Sequence, residues 1–134
     1  TMRPPEPADT RTIEALTAYI RTLPPPPSLS QARGEINHKT VASGKQVFEA
    51  RKCGSCHTAP LYTSTDLYDV GLADEKNVRT FNPPSLLGVS QRMSWLHDGR
   101  AESLPQVFEQ MRHQLETPLS KDDLRDLIAF LNQL

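Results

Sequence analysis

The spacing of apolar residues predicts a helix near each end of the chain. Residues 10–23 carry apolar side chains three or four positions apart behind Asp9, a residue typical of helix starts. The same spacing follows Ser120, a favoured N-cap, with Asp122 and Asp123 in the first turn, where negative charge suits the helix dipole. The two stripes consist of Ile13, Leu16, Ile20 and Leu23, and of Leu124, Leu127, Ile128, Leu131 and Leu134.

Two further helices are predicted between these ends. Residues 41–51 form one, leading directly into a pair of cysteines. Residues 104–115 form the other, with Pro105 at an early position where proline is tolerated and Met111 on the apolar face. Residues 60–91 show no sustained period and many Pro, Gly and Asn residues, which indicates a long loop with one helical turn.

The two terminal helices align with each other at a constant offset of 111 positions, with Leu16 over Leu127 and Leu23 over Leu134. True repetition would make the first helix the closing helix of a preceding domain, whereas two amphipathic helices also align by chance. Four prolines, Pro24 to Pro27, then predict an extended linker. We therefore divide the chain into residues 1–30, a closing helix and linker, and residues 31–134, one domain.

The net charge and the length of the apolar runs narrow the possible classes of function further. The net charge of −1 provides no basic surface for nucleic acid. No apolar run approaches the roughly 20 residues that span a bilayer, and no signal peptide is recognisable, so we expect a soluble, processed chain.

The chemistry of the chain is concentrated in Cys53-Gly54-Ser55-Cys56-His57. At this spacing two thiols can bond to the vinyl groups of one haem while the adjacent imidazole reaches its iron. A tetrahedral zinc site needs four protein ligands, and the chain has no second cysteine pair to complete one. A thioredoxin-type dithiol is expected in a βαβ context, which the predicted helices do not provide. The motif therefore predicts a single covalent haem c.

The remaining iron ligands are predicted from their surroundings. The second nitrogen of His57 needs a partner, usually a backbone carbonyl, and Pro84 is our candidate. A methionine in the sixth position raises the reduction potential relative to bis-histidine ligation. Met111 has the apolar helical context, although such a methionine is more often a core residue, and Met93 and then His97 are reserves.

The order of three motifs resembles the second haem domain of bacterial di-haem cytochrome c peroxidases and their methylamine-utilisation relatives. The motifs are the cysteine cluster, the segment Asn82-Pro83-Pro84-Ser85-Leu86, and His97-Asp98-Gly99-Arg100 followed by a closing helix with Ala129-Phe130-Leu131. The resemblance covers residues 44–134. It implies that Met111 is the axial methionine and that His97 lies beside the haem, although a histidine held in a turn by Asp98 is an equal alternative.

Two departures from that family limit what the resemblance implies. Leu87 stands where the family usually has an arginine that can serve a haem propionate, so Arg79, Arg92 or Arg100 would have to substitute. The chain also has one cysteine cluster where the peroxidases have two haem domains, so the half on which peroxide reacts is missing.

These observations together predict an all-α, class I-like cytochrome c fold around one covalent haem. The expected function is electron transfer through a six-coordinate iron, as a non-catalytic domain of a larger oxidoreductase in the periplasm or another extracytoplasmic compartment. A redox protein or an adjacent haem domain would be the partner. The alternatives are a peroxidase-like or gas-binding haem domain, in which the sixth position is open or labile.

Overall fold

A computed structural model of the chain describes residues 9–24 and 27–134. It contains five α-helices and one small sheet within those residues. The helices are α1 (Thr10–Thr22), α2 (Leu29–Arg33), α3 (His38–Ala50), α4 (Leu104–Glu109) and α5 (Lys121–Leu131), and the strands are β1 (Tyr68–Asp69) and β2 (Thr80–Phe81). This helical architecture confirms the all-α prediction.

The core forms where α3 crosses α5. Gly44 makes the close approach possible, because a Cβ atom at this position would lie 1.8 Å from the Asp126 carbonyl oxygen. Phe48, one turn later in α3, packs edge-on or tilted against Tyr62 and Phe130, with ring centroids 5.9 and 5.3 Å away. The buried cluster comprises Phe48, Val89, Leu104, Leu127, Phe130 and Leu131.

Local capping signals explain the helix ends. Ser120 caps α5 by accepting a hydrogen bond from the Asp123 amide, as predicted. Asn37 caps α3 through the Thr40 amide, so this helix begins three residues earlier than the predicted residue 41. Ser103 caps α4, and Pro105 lies in its first turn, where no hydrogen-bond donor is required.

The segment between α3 and α4 is mostly loop, as predicted. Within residues 60–91, the predicted loop, it contains a hairpin, with Tyr68 opposite Phe81 and Asp69 opposite Thr80, and one 3₁₀ turn at Val89–Gln91. The sequence did not indicate the two strands, because two residues each are too short to show a period of two.

Helix α1 differs from α3, α4 and α5 in having no buried residue. Asp9 caps it and Leu23 ends it before the proline run, in agreement with the sequence. Pro25 and Pro26, the centre of the predicted linker, lie outside the described residues. Pro27 contacts the rest of the chain, because its carbonyl accepts a hydrogen bond from the Gln91 side-chain amide at 2.9 Å.

Candidate haem site

The cysteine cluster forms a tight turn directly after α3. Lys52 adopts a left-handed conformation with φ of 57°, which ends the helix and starts a 3₁₀ turn at Cys53–Ser55. The His57 amide then bonds to the Cys53 carbonyl at 3.0 Å. This turn brings both sulfur atoms and the imidazole to the wall of one cavity.

The cavity has a volume of about 770 Å³. That size lies within the roughly 300–1,000 Å³ of typical ligand pockets. Its wall is formed by residues of α3, the long loop, α4 and α5, and much of it is apolar. The apolar side chains include Phe48, Val89, Trp95, Leu104, Val107 and Leu131. A largely hydrophobic group suits this wall, because its binding would remove apolar surface from water on both sides.

His57 is held by a backbone carbonyl. Its Nδ1 lies 3.1 Å from the Tyr62 carbonyl oxygen and donates to it, whereas the sequence predicted the Pro84 carbonyl as this partner. The bond leaves Nε2 free to bind a metal. Burial lowers the pKa of His57, the Tyr62 and Pro84 carbonyls oppose that shift, and the Arg92 charge adds to it. The imidazole is therefore neutral at neutral pH, which is the form that binds iron.

The two cysteines are free thiols that are not joined to each other. Both are half-buried at the cavity wall. Burial raises the pKa of the Cys53 thiol, so this group is protonated at neutral pH. Two free thiols beside a neutral histidine fit a group that is attached by thioether bonds.

The structure brings five of the six predicted site residues to the cavity. Cys53, Cys56, His57, Pro84 and His97 all line it. The His97 ring stacks on Phe81 at 3.9 Å between centroids, and its Nε2 lies 3.7 Å from the Asp98 carboxylate. His97 thus lies beside the cavity and at the same time contacts Asp98 in a turn.

Met111 is the sixth predicted residue, and the helix predicted to carry it is shorter than expected. Helix α4 ends at Glu109 and not at Leu115, so the prediction was wrong at this end. Arg112 and Gln114 adopt left-handed conformations that turn the chain away from the helix axis. Met111 is half-buried just beyond the helix and is not among the residues of the cavity wall. Met93, the first reserve, is 94% exposed.

His113 is a candidate that the sequence reasoning did not select. It lies in the turn after α4, lines the cavity, and has a buried Nδ1 with no hydrogen-bond partner in the described part of the chain. Burial lowers its pKa, and the neighbouring His57 lowers it further. The only sequence signal was a histidine two residues after the selected methionine.

Among the arginines that the sequence suggested for a propionate, Arg92 is free to interact with an anion at the cavity. Arg92 lines the cavity, and its guanidinium donates to the Ser85 carbonyl, with no carboxylate partner in residues 9–24 and 27–134. Arg79 pairs with Asp69 at 3.2 Å, and Arg100 pairs with Asp98. Of the three arginines considered from the sequence, Arg92 alone is both at the cavity wall and without an acidic partner there.

Comparison with known protein families defines the class of this domain. The family model for cytochrome c matches residues 41–134. The chain belongs to the cytochrome c family, whose domains bind haem c covalently and transfer electrons. The predicted cytochrome c fold and cofactor are thereby confirmed. No curated protein sequence matches the chain.

The described helices are all too short or too polar to cross a membrane. Likewise, no cluster of three or more His, Cys, Asp or Glu side chains in residues 9–24 and 27–134 is arranged to hold a bare metal ion.

Proposed function

We propose that this domain passes single electrons through one haem attached to Cys53 and Cys56, with His57 as an axial ligand. The observation that carries the proposal is the opening of both thiols and the neutral imidazole onto one apolar cavity of about 770 Å³. The bound group supplies a one-electron couple, and the protein sets its potential and its access to partners.

The surrounding residues have separable tasks in this proposal. The Tyr62 carbonyl fixes the tautomer and orientation of His57 through the 3.1 Å hydrogen bond, and this bond also raises the basicity of the ligand. The apolar wall excludes water, which favours the less charged state of the site. Arg92 places a positive charge at the cavity, where a haem propionate is the complementary anion.

The loop after α4 supplies the sixth ligand in this proposal. The sequence points to Met111 and the cavity wall points to His113, and both belong to this loop. A filled sixth position suits electron transfer, because the iron changes charge without binding or releasing a substrate. An open or labile position would instead favour the peroxidase-like or gas-binding alternative.

The wider setting is proposed from α1. Its stripe is exposed here and aligns with the stripe of α5, so we assign it to an adjacent haem domain of a larger, extracytoplasmic oxidoreductase. That domain or a separate redox protein would then exchange electrons with this one. A closing helix followed by this haem domain resembles the arrangement in the di-haem peroxidases.

Extraction and rapid-mixing experiments test the proposal. Haem should stay with the protein in acidified organic solvent, at one per chain, and the Cys53→Ala/Cys56→Ser double variant should lose it. The purified holoprotein should be reduced and reoxidised by one electron with small-molecule donors and acceptors, and should turn over little peroxide. Extractable haem would contradict the attachment, and robust peroxide turnover would favour the enzymatic alternative.

A further inference from the structure

The strongest unexplained feature of the cavity is the half-buried ring of His113, whose Nδ1 atom is fully buried. Its Nδ1 is inaccessible and makes no hydrogen bond within the described residues. A buried polar atom without a partner costs roughly 1–3 kcal/mol, so such atoms usually mark a missing ligand. The ring lines the same cavity as His57.

The backbone fixes this ring in place. The Met111 amide bonds to the Gln106 carbonyl and the His113 amide to the Val107 carbonyl, both at 3.0 Å, which ties the loop to the last turn of α4. Left-handed residues on both sides of His113, Arg112 at φ 47° and Gln114 at φ 53°, reverse the chain there. Residues 113–117 consequently form one side of the cavity, and Met111 does not.

The other candidate ligands are either occupied or remote. The His97 ring is stacked on Phe81 and contacts the Asp98 carboxylate. Met93 is almost fully exposed, and His38 is exposed at the start of α3. Besides His57, the cavity wall in the described residues therefore offers one imidazole, that of His113, which is neither stacked on an aromatic ring nor paired with a carboxylate.

We propose that His113, in place of Met111, is the sixth ligand of the iron, which makes this haem bis-histidine ligated. The inference rests on the proposed function, because it assumes a haem attached beside His57. It also implies a lower reduction potential than histidine–methionine ligation would give, since a thioether favours reduced iron more than an imidazole does.

The test uses the complete chain with its haem, in the native form and as His113→Ala, His113→Met and Met111→Ala variants. Optical and electron paramagnetic resonance spectra report the iron ligands, and carbon monoxide binding reports an open position. Far-ultraviolet circular dichroism reports whether each variant is folded.

The native protein should show low-spin iron without the far-red sulfur-to-iron band, and Met111→Ala should leave its spectra unchanged. His113→Ala should convert the oxidised iron to high spin and allow carbon monoxide to bind the reduced form. His113→Met should stay low-spin, gain the sulfur-to-iron band, and shift the potential upward. This gain of a band supports the assignment even if His113→Ala does not fold.

Two results would overturn the inference; the first leaves the proposed function intact, and the second would also favour the peroxidase-like or gas-binding alternative. One is a sulfur-to-iron band in the native protein that disappears in Met111→Ala. The other is high-spin iron in the native protein, unchanged by any of the three substitutions. A native chain that holds no covalent haem, measured by acid extraction of the same samples, would overturn the proposed function and this inference together.

Discussion

Helices α1 and α5 have nearly the same pattern of apolar residues and opposite surroundings. Three apolar side chains of α5 are only 1–6% exposed, whereas the side chains at the aligned positions of α1 are 55–61% exposed. The aligned pairs are Leu127 and Leu16, Phe130 and Tyr19, and Leu131 and Ile20. An amphipathic pattern thus predicts a helix that has an apolar face, and it says nothing about what covers that face.

The difference between the two helices comes from α3. Gly44 allows α3 to approach α5 until backbone and side chain touch, and Phe48 fills the space beside it. Helix α1 has no such neighbour in the described residues. Its stability in this chain therefore depends on local signals, the Asp9 cap and its own intrahelical bonds.

The largest expected contrast is between matched leucines. Leu127→Ala removes a side chain that is 1% exposed and should cost about 2–5 kcal/mol of unfolding free energy, because a cavity remains. Leu16→Ala, at the aligned position of α1, should change it by less than about 0.5 kcal/mol. Denaturant unfolding of both variants measures this contrast. Equal losses would mean that α1 has a buried partner after all.

The helix crossing should be the next most sensitive position. Gly44→Ala should destabilise the domain by about 1–3 kcal/mol, because the new Cβ meets a backbone carbonyl that cannot rotate away. The same change in an open helix would be stabilising. Gln46→Ala, an exposed position in α3, is the control and should be nearly neutral. A stable Gly44→Ala variant would contradict the close packing of α3 on α5.

The turn at Asp98 should give a smaller effect that depends on pH. The Arg100 side chain holds the pKa of Asp98 below the ordinary 3.8, so its stabilising contribution is present above about pH 3.8 and is lost as the pH falls through the folded-state pKa. Asp98→Asn should therefore be less stable than the native chain at neutral pH and equal to it in strong acid. Denaturant unfolding at several pH values measures this, with Asp66→Asn as the control.

The smallest effect should come from removing α1 altogether. Deleting residues 1–24 should leave the unfolding midpoint and the haem spectra unchanged, because no side chain of α1 is buried. The cut leaves Pro27 and its hydrogen bond to Gln91 in place. A clear drop in the midpoint would show that the stripe of α1 packs against this domain or a second copy of it.

The sequence predicted the parts of the fold that local signals determine. Helix α5 was predicted because the Ser120 cap, the acidic first turn and the apolar stripe agree, and the haem motif because its five residues are contiguous. The end of α4 was wrong, because no Gly or Pro marks it and the left-handed residues Arg112 and Gln114 depend on tertiary contacts.

The partners of the histidines depend on such contacts too. The hydrogen bond from His57 goes to Tyr62, whose position results from packing against Phe48 and Phe130, and no periodicity shows that contact. His113 was passed over for the same reason. Only the folded loop shows that its ring, two residues beyond Met111, lines the cavity.

The ring cluster of Phe48, Tyr62 and Phe130 connects two properties that are usually measured separately. The same residue that packs against both crossing helices also provides the carbonyl that holds His57. If His57 binds the iron as proposed, loosening the crossing should weaken the electron donation that the iron receives through that imidazole. By thermodynamic reciprocity, a change in the folded-state driving force for reduction equals the change in the difference between the unfolding free energies of the ferrous and ferric proteins, provided that the unfolded state is unaffected. In this domain, the reduction potential should therefore depend on how tightly the helices pack, and the unfolding free energy should depend on the oxidation state of the iron.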